Sequence, residues 1–386
     1  MDPRRFVASV GTVIEATGPE GRFHAFVPNP VPRQIVLDAE TVYLLSQADD
    51  ALGRLAGAGR LLPNPHLLVE AYLTQEAVAS SRIEGTLASL TEVFQAVAGA
   101  GVSSPDVQEV ENYIGAMNKG LRLLADIPVC LRLVKEVHSA LMQGVRGGDK
   151  RPGEFRVRQN WIGSPDEPQT ATFVPPPVDS LEKLLSDWEQ YANEYPRMPV
   201  LVQCALLHYQ FETIHPFLDG NGRLGRLLIV LFLVQRGRLP QPLLYISRYF
   251  ENNRREYYER LQAVRERGEI QEWLQFFLHA VEAQATDAVL RAQRLTDLRE
   301  QYREALKGTR TRAPELIDLL LGNPVLTSQR VEAALQVTNP GAHNLIRQVE
   351  QLGIIQYVGT YGRGGRRYWV AGAILDCLEA DTAAPG

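Results

Sequence analysis

The sequence predicts a mainly helical protein with a hairpin-like insertion and a separate C-terminal segment, and three observations predict it. Apolar residues recur at helical spacing through most of the stretch from residue 38 to about residue 307. Residues 153–177 instead carry alternating and β-branched pieces around a polar, proline-containing centre, which indicates a hairpin inserted between helices. After residue 312, three short helical segments precede two β-like runs joined by a glycine-rich turn.

Glycine, proline and serine residues mark where the predicted elements begin and end along the chain. The first forty residues are rich in glycine and proline and are predicted to form an irregular arm rather than a folded unit. Ser104 followed by Pro105 is a typical helix start. Helices are predicted over residues 38–59, 65–85, 104–124, 129–145, 180–195, 200–215, 223–234, 247–268 and 270–307. Residues 381–386 are expected to fray.

Composition limits the classes of protein that the chain can represent. It has 386 residues, with 40 Lys and Arg against 45 Asp and Glu, a net charge of −5. This balance argues against coating nucleic acid through bulk charge, but it leaves room for a local basic patch. Cys130, Cys204 and Cys377 are far apart and form no CxxC pair, so we expect reduced thiols and a cytoplasmic location. No secretory signal is recognisable, and the longest apolar run, LLIVLFLV, is too short to span a bilayer, so no membrane association is expected.

The densest chemical signal is HPFLDGNGRLGR at residues 215–226. Pro216 cannot continue the preceding helix comfortably, so His215 is predicted at the mouth of a loop. The run Gly220-Asn221-Gly222 permits a backbone nest of N–H groups, and the N-terminus of the next helix faces the same place. These features together predict an anion site suited to phosphates.

The charged residues of this loop suggest what happens at the phosphates. Arg223 and Arg226 lie one turn apart, so both guanidinium groups can reach phosphate oxygens. Asp219 is placed to hold Mg²⁺ between phosphates, and His215 could take a proton from an incoming hydroxyl. The residues therefore suggest magnesium-assisted nucleotidyl or phosphoryl transfer. The alternative is a plain glycine turn, while a Walker A loop and an HExxH zinc protease are excluded because neither pattern occurs.

The same string matches, at every defined position, the HPFx(D/E)GNGRxxR signature, so the chain resembles Fic-domain proteins of the Fic/Doc family. The resemblance implies a helical fold and a protein adenylyltransferase activity: AMP passes from ATP to a hydroxyl of a target protein. Doc-like relatives that phosphorylate have lost part of GNGR, which this chain keeps. His215 is implied as general base, Asp219 as Mg²⁺ ligand and Arg226 as γ-phosphate contact. The loop anchor and phosphate-binding positions are implied to be Phe217, Gly220, Asn221, Gly222 and Arg223.

A second stretch, SSRIEG at residues 80–85, resembles the family's inhibitory motif S/T-x-x-x-E-G/N, with Ser80, Glu84 and Gly85 at its defined positions. Glu84 could pair with Arg226 through two hydrogen bonds and so compete with the γ-phosphate for that guanidinium. The alternative is a solvated glutamate before a helix-ending glycine.

Two further segments resemble parts of the family. Residues 153–163 and 172–177 are similar to the flap that pairs with the target backbone, although a hairpin that only caps the bundle, with Trp161 in the core, is the alternative. In SRYFENNRREYY, Asn253 and Tyr257 are candidates for an adenine pocket. Helix packing by the tyrosines of this segment is the alternative for them.

The C-terminal order of three helices and a hairpin is typical of a winged helix-turn-helix. Residues 339–353 would form the recognition helix, and GTYGRGGRRYW would form the wing. Outward-facing side chains that could contact DNA are His343, Asn344, Arg347, Arg363, Arg366 and Arg367. A DNA-binding regulator acting through residues 312–375 is therefore the alternative function, and docking to protein is the other use of such a module.

These readings combine into one hypothesis with three predicted domains. Residues 1–100 are the arm and first helices including the inhibitory helix, 101–290 the catalytic Fic domain, and 291–386 a linker helix and the winged-helix domain. The chain is expected to be an autoinhibited AMP transferase using ATP and Mg²⁺, with removal of AMP as a variant of the same chemistry. Self-modification and a homodimer are left open, and no motif identifies the target.

Overall fold

The computed structural model describes residues 1–19, 21–61, 65–163, 167–195 and 197–380. Within these residues the chain is mainly helical, as the apolar spacing predicted, and it divides into two compact units. Unit 1 comprises Met1–Asp50, Gly115–Arg238 and Tyr249–Glu282. Unit 2 comprises Ala51–Ile114, Leu239–Arg248 and the chain from Ala283 onward.

The helices before the C-terminal segment largely follow the predicted ones. In chain order they are α1 (Ala39–Leu61), α2 (Pro65–Ile83), α3 (Leu90–Val97), α4 (Pro105–Leu123), α5 (Leu131–Leu141), α6 (Leu181–Asn193), α7 (Val200–Ile214), α8 (Asn221–Gln235), α9 (Ser247–Asn252), α10 (Arg254–Arg267) and α11 (Ile270–Ala305). Helix α3 was not predicted. The sequence nevertheless contains a signal for the start of this helix, because Ser89 and Glu92 form a capping box.

The centre of unit 1 is built on α7 and α8. Both helices are buried on nearly every side, as expected for helices that are apolar all round. The indole of Trp188 on α6 donates to the Leu207 carbonyl oxygen of α7 at 3.0 Å, and the indole of Trp273 on α11 donates to the Ala205 carbonyl oxygen at 3.0 Å. The loop between α7 and α8 is thus held at both ends by tightly packed helices.

The prediction of an irregular N-terminal arm was wrong. Strands β1 (Gly11–Gly18) and β2 (Gly21–Pro28) form an antiparallel hairpin in unit 1. Phe26 is fully buried, its ring lies 6.0 Å from that of Phe173, and its N–H donates to the Val174 carbonyl oxygen at 3.0 Å. The glycines and prolines bound strands whose alternating apolar residues are the stronger signal.

The predicted hairpin over residues 153–177 is much smaller than expected. Among its described residues, the strand pairing is one antiparallel bridge between Ile162 and Phe173, with N–H···O distances of 2.8 and 3.2 Å. The backbone N–H of Arg156 bonds outside the segment, to the Pro216 carbonyl oxygen, so it is lost to strand pairing. Residues 164–166, at the centre of the predicted hairpin, lie outside the described residues.

Unit 2 contains the predicted winged helix-turn-helix. Its elements are α12 (Ala313–Gly322), β3 (Val325–Thr327), α13 (Ser328–Leu335), α14 (Asn339–Gln351), β4 (Gln356–Tyr361), β5 (Arg366–Val370) and a further helix α15 (Gly372–Glu379). The strands form an antiparallel sheet in the order β3-β5-β4. In the same unit α2 packs along α12. The frayed end predicted for residues 381–386 lies outside the described residues.

Candidate active site

His215 follows the last residue of α7 and has left-handed backbone angles, φ 50° and ψ 61°. Few residues other than glycine adopt this region, and such strain is typical of functional positions. The imidazole Nδ1 lies 3.3 Å from the Glu212 carbonyl oxygen and 3.9 Å from a carboxylate oxygen of the same residue. Because a carbonyl only accepts, this contact favours the tautomer with the proton on Nδ1, in which Nε2 is the basic nitrogen.

The loop is closed by interactions around Phe217. The Asn221 amide accepts from the Phe217 N–H at 2.9 Å and donates to its carbonyl oxygen at 2.8 Å. The Phe217 ring is fully buried and stacks on His138, with 3.7 Å between ring centroids. The side chain of Asn221 therefore makes its hydrogen bonds within the loop. The backbone of Asn221 and that of Gly222 form the start of α8.

Gly220 caps α8 and needs to be glycine. Its φ of 75° lies in the left-handed region, and a Cβ there would lie 2.5 Å from the Met142 sulfur. No side chain caps the first turn of α8 at this position. The N–H groups that begin a helix and the helix dipole favour an anion, so this end of α8 is suited to phosphate.

Asp219 lies between a helix start and a lysine. Its Oδ2 accepts from Lys150 Nζ at 2.9 Å and its Oδ1 from the Gly220 N–H at 2.7 Å. Burial disfavours the charged carboxylate, but Lys150, the Gly220 N–H and Arg223 outweigh burial and lower the pKa of Asp219. Asp219 is thus ionised at neutral pH.

Magnesium fits this donor set when phosphates complete it. Asp219 is the one carboxylate of residues 215–226, and Mg²⁺ characteristically takes one or two carboxylates together with phosphate oxygens and water. Within the described residues, no group of three or more His, Cys, Asp or Glu side chains is arranged to hold a metal. The ammonium of Lys150 shares the carboxylate that the metal would use.

The arginines of the motif are deeply placed in unit 1. Arg223 is 2% exposed and Arg226 is fully buried, both on α8. Behind them, His208 Nδ1 lies 3.1 Å from the Gly225 carbonyl oxygen and its Nε2 lies 2.8 Å from the Tyr257 hydroxyl. Burial, with the charge of Arg226, lowers the pKa of His208 to about 3, so this imidazole is neutral.

The adenine-pocket candidates lie on or beside α10. Tyr257 is 1% exposed and stacks on Phe250, with ring centroids 4.6 Å apart. These surroundings agree with the alternative interpretation, in which the tyrosines of this segment pack between helices. Asn253 is half-buried at the start of α10 and donates to the Tyr249 carbonyl oxygen at 2.9 Å. Contact of either residue with adenine stays a prediction.

The inhibitory motif ends α2 in unit 2. Ser80 is buried, Glu84 is half-buried just past the helix, and Gly85 has a φ of 94°. The Glu84 N–H donates to the Ser81 carbonyl oxygen at 3.0 Å, which fixes this turn. Pairing of Glu84 with Arg226 stays a prediction.

Sequence reasoning missed four residues around the loop: His138, Lys150, Arg156 and Asn160. His138 Nε2 lies 3.0 Å from the Asp219 carbonyl oxygen, and its Nδ1 accepts the Gly153 N–H at 2.8 Å. Because Nδ1 accepts, Nε2 carries the proton and donates. No spacing signal joins these residues to the loop, since they come from α5 and the irregular segment after it.

The winged helix presents polar residues on one side of α14. Asn344 and Arg347 are exposed, and half-buried His343 packs against Trp369 with 6.2 Å between ring centroids. The wing arginines Arg363, Arg366 and Arg367 are exposed. Among the residues that the structure describes, no helix combines the length and the apolar character needed to cross a bilayer.

Fold and loop define a helical protein with a histidine-containing loop at the start of a buried helix. The family model described as Fic/DOC family matches residues 128–233, and that of the Fic/DOC family N-terminal region matches residues 42–122. A model described as HTH DNA binding domain matches residues 313–369. The comparison thus assigns residues 42–122 and 128–233 a similarity to the Fic/DOC family.

Individual relatives agree with this assignment. A curated protein from Aedes aegypti, named protein adenylyltransferase Fic, is 29% identical over 256 residues, covering 64% of this chain and 47% of the relative. One of the same name from Drosophila grimshawi is 29% identical over 253 residues, covering 64% and 48%. The chain thus spans about half the length of these relatives. A solved Fic family protein from Desulfovibrio desulfuricans G20 shares the fold, with a TM-score of 0.59 and 21% identity over 89% of this chain and 98% of the other.

Proposed function

We propose that the chain transfers AMP from ATP to a hydroxyl group of a target protein. The observation that carries the proposal is the imidazole of His215, whose Nδ1 lies 3.3 Å from the Glu212 carbonyl oxygen, next to the start of α8, where no side chain caps the helix. The activity named for the curated relatives supports the same reaction.

The chemistry follows from these groups. His215 Nε2 takes the proton of the target hydroxyl while the hydroxyl oxygen bonds to the α-phosphorus. The bond from that phosphorus to the bridging oxygen breaks, and pyrophosphate leaves with the electron pair. The α8 N-terminus, Arg223 and Arg226 hold the negative charge of the phosphates. Magnesium held by Asp219 and phosphate oxygens would neutralise part of that charge.

Inhibition by Glu84 is part of the proposal. A carboxylate that pairs with Arg226 would take the guanidinium from the γ-phosphate, so ATP would bind weakly or with its α-phosphate misplaced. The position of Glu84 directly after the end of α2, in a hydrogen-bonded turn before Gly85, supports this part of the proposal.

Intact mass spectrometry tests the reaction and its inhibition together. The full chain is incubated with ATP and Mg²⁺, alone and with cell lysate, as wild type, Glu84→Gly and His215→Ala. We expect added AMP to increase with Glu84→Gly and to vanish with His215→Ala. Glu182→Ala, an exposed glutamate of α6, is the matched control and should behave as wild type. No AMP on any protein with Glu84→Gly would refute the proposal.

DNA binding by the winged helix is a second candidate function. It is favoured by the HTH match and by the exposed Asn344 and Arg347 on α14 beside the exposed wing arginines. The test is a gel shift with the full chain at low and high salt. The two functions are compatible, since the winged helix would then select where the transferase acts.

The remaining expectations belong to this proposal. For the substrates, they are ATP as the AMP donor, contact of Asn253 and Tyr257 with the adenine, and pairing of residues 153–177 with the target backbone. For the activity, they are removal of AMP by the same site and self-modification. For the organisation of the chain, they are a homodimer and the domain division 1–100, 101–290 and 291–386. The three free cysteines support a cytoplasmic location. Repeating the mass experiment with other nucleoside triphosphates tests the nucleotide choice.

A further inference from the structure

The backbone turn that places His215 leaves carbonyl groups in need of partners. The last carbonyls of a helix have no intrahelical donor, and here the chain also enters the left-handed region at residue 215. A left-handed residue with a β-carbon is strained by about 1 to 2 kcal/mol, so surrounding contacts need to hold it.

Two residues supply those contacts, through their side chains and, for Arg156, also through its backbone N–H. Arg156 Nε and Asn160 Nδ2 donate to the His215 carbonyl oxygen at 3.0 and 3.1 Å. Asn160 Nδ2 also lies 2.9 Å from the Phe217 carbonyl oxygen. The Arg156 N–H donates to the Pro216 carbonyl oxygen at 2.9 Å, and its Nη2 lies 3.5 Å from the Ile214 carbonyl oxygen. Every carbonyl from residue 214 to residue 217 therefore accepts from Arg156 or Asn160.

Stability alone does not explain this arrangement. Arg156 is 2% exposed, and within the described residues it forms no ion pair, so a buried charge is balanced only by carbonyl dipoles. Its Nη1 and the Oδ1 of Asn160 are buried and have no hydrogen-bond partner in the described part of the chain. Buried polar atoms without partners destabilise a fold, so the guanidinium and the amide each carry a cost in stability at this place.

The side chains of residues 156–160 differ in burial, and this difference indicates two roles. Arg156 is buried and Asn160 is half-buried, while Val157 and Arg158 between them are exposed. The exposed pair remains available to a target, whereas the other two side chains are committed to the loop.

We propose that Arg156 and Asn160 are positioning residues of the AMP transfer: they hold residue 215 in its left-handed conformation and so keep its imidazole where it accepts the hydroxyl proton. The inference rests on the proposed function. Residues 153–177 would then hold the loop around His215 in addition to making any contact with the target.

Kinetics of the full chain test the proposal in the Glu84→Gly background. Arg156→Lys keeps the charge but loses the fork, and Asn160→Asp replaces the donor with a carboxylate. We expect kcat to fall about a hundredfold, because a displacement of about 1 Å at a reacting group has that effect. The dissociation constant of ATP should stay within about threefold, since the phosphates bind elsewhere in the loop.

The matched control is Arg330→Lys. Arg330, on α13, also donates to backbone carbonyl oxygens, at 2.8 to 2.9 Å. It should lower the unfolding midpoint as much as Arg156→Lys does, and it should leave kcat unchanged. If Arg156→Lys and Asn160→Asp lose no more kcat than this control, the positioning role is rejected.

A second readout is independent of activity. In protein labelled with ¹³C-histidine, the His215 imidazole resonance is identified by its loss in His215→Ala. Arg156→Lys should shift this resonance, and Arg330→Lys should not. If the Glu84→Gly parent transfers no AMP, the proposed function fails while a shifted resonance still supports the positioning role. An unshifted resonance overturns it.

Discussion

Lys150 Nζ lies 2.9 Å from Asp219 Oδ2, so an ammonium group occupies one side of the carboxylate proposed for magnesium. Both side chains are more than three-tenths exposed, and exposed ion pairs are worth about 1 kcal/mol or less. The pair is therefore weak enough for a divalent cation with phosphate ligands to displace it. Until the proposed Mg²⁺ binds, Lys150 would hold this carboxylate in place, and it helps to lower the pKa of Asp219.

Removing this lysine should strengthen Mg²⁺ binding. We expect Lys150→Ala to lower the Mg²⁺ concentration for half-saturation about two- to fivefold, because the competing ammonium is lost. Isothermal titration of Mg²⁺ into protein with a non-hydrolysable ATP analogue measures it. Lys119→Ala removes a comparable ammonium from its pair with Glu136 and should change nothing. Weaker Mg²⁺ binding in Lys150→Ala would mean that the lysine supports the metal complex.

The sequence predicted the conformation of the loop at residues 215–226 better than its surroundings. The contiguous string at residues 215–226 contains its own turn and helix start, so a loop after His215 and a helix beyond Gly220 were predicted without knowledge of distant partners. Arg156 and Asn160 were missed because their role depends on carbonyl oxygens some 55 residues away in the chain, which no local pattern encodes. Tyr257 was a candidate for the adenine pocket because of its place in a motif; its ring is buried, and contact with adenine stays a prediction.

The N-terminal hairpin was misread for a physical reason that can be tested. Composition suggested an irregular arm rather than a folded unit, yet Phe26 is fully buried against Phe6 and Phe173. Phe26→Ala should destabilise unit 1 by about 3 to 5 kcal/mol, the usual effect of deleting a buried aromatic ring. It should also speed hydrogen exchange of the Phe173 amide, since Phe26 bonds the neighbouring Val174 carbonyl.

The control for this variant lies on the facing strand. Ile14 is 37% exposed, so Ile14→Ala should cost less than about 1 kcal/mol. Thermal unfolding and hydrogen exchange of both variants separate the cases. Equal, small effects would indicate that the hairpin is an appendage of unit 1, not part of its core.

His138 should make stability depend on pH. Burial, together with the charge of Arg223, lowers its pKa from 6.5 to about 4 despite the hydrogen bond to Asp219. The unfolded chain therefore binds a proton on His138 from pH 6.5 downward, and the folded protein does so only near pH 4. Its contribution is complete above pH 6.5 and is lost as pH falls, by about 2 to 3 kcal/mol at about pH 4.5.

His138→Gln should remove this part of the pH dependence. The variant is expected to be less stable than wild type at about pH 7.5, because the stacking on Phe217 is lost, and the difference should shrink toward pH 4.5. Denaturant unfolding at both pH values measures the change. His24→Gln, an exposed histidine of β2, controls for the loss of an imidazole. If the difference in stability between wild type and His138→Gln is the same at both pH values, His138 has the same pKa in the folded and unfolded states.

The two kinds of DNA contact expected for a winged helix respond differently to substitution. If α14 enters the major groove, Arg347 reads bases, so Arg347→Ala should weaken binding to a selected site by about 1 to 3 kcal/mol and relax its sequence preference. Arg366 lies on the wing, so Arg366→Ala should weaken binding to all sequences alike and reduce the salt slope by about one. Selection from a random DNA library followed by salt titration gives both quantities. Arg303→Ala, an exposed arginine of α11, is the control. Binding that none of these variants changes would assign the module to protein docking.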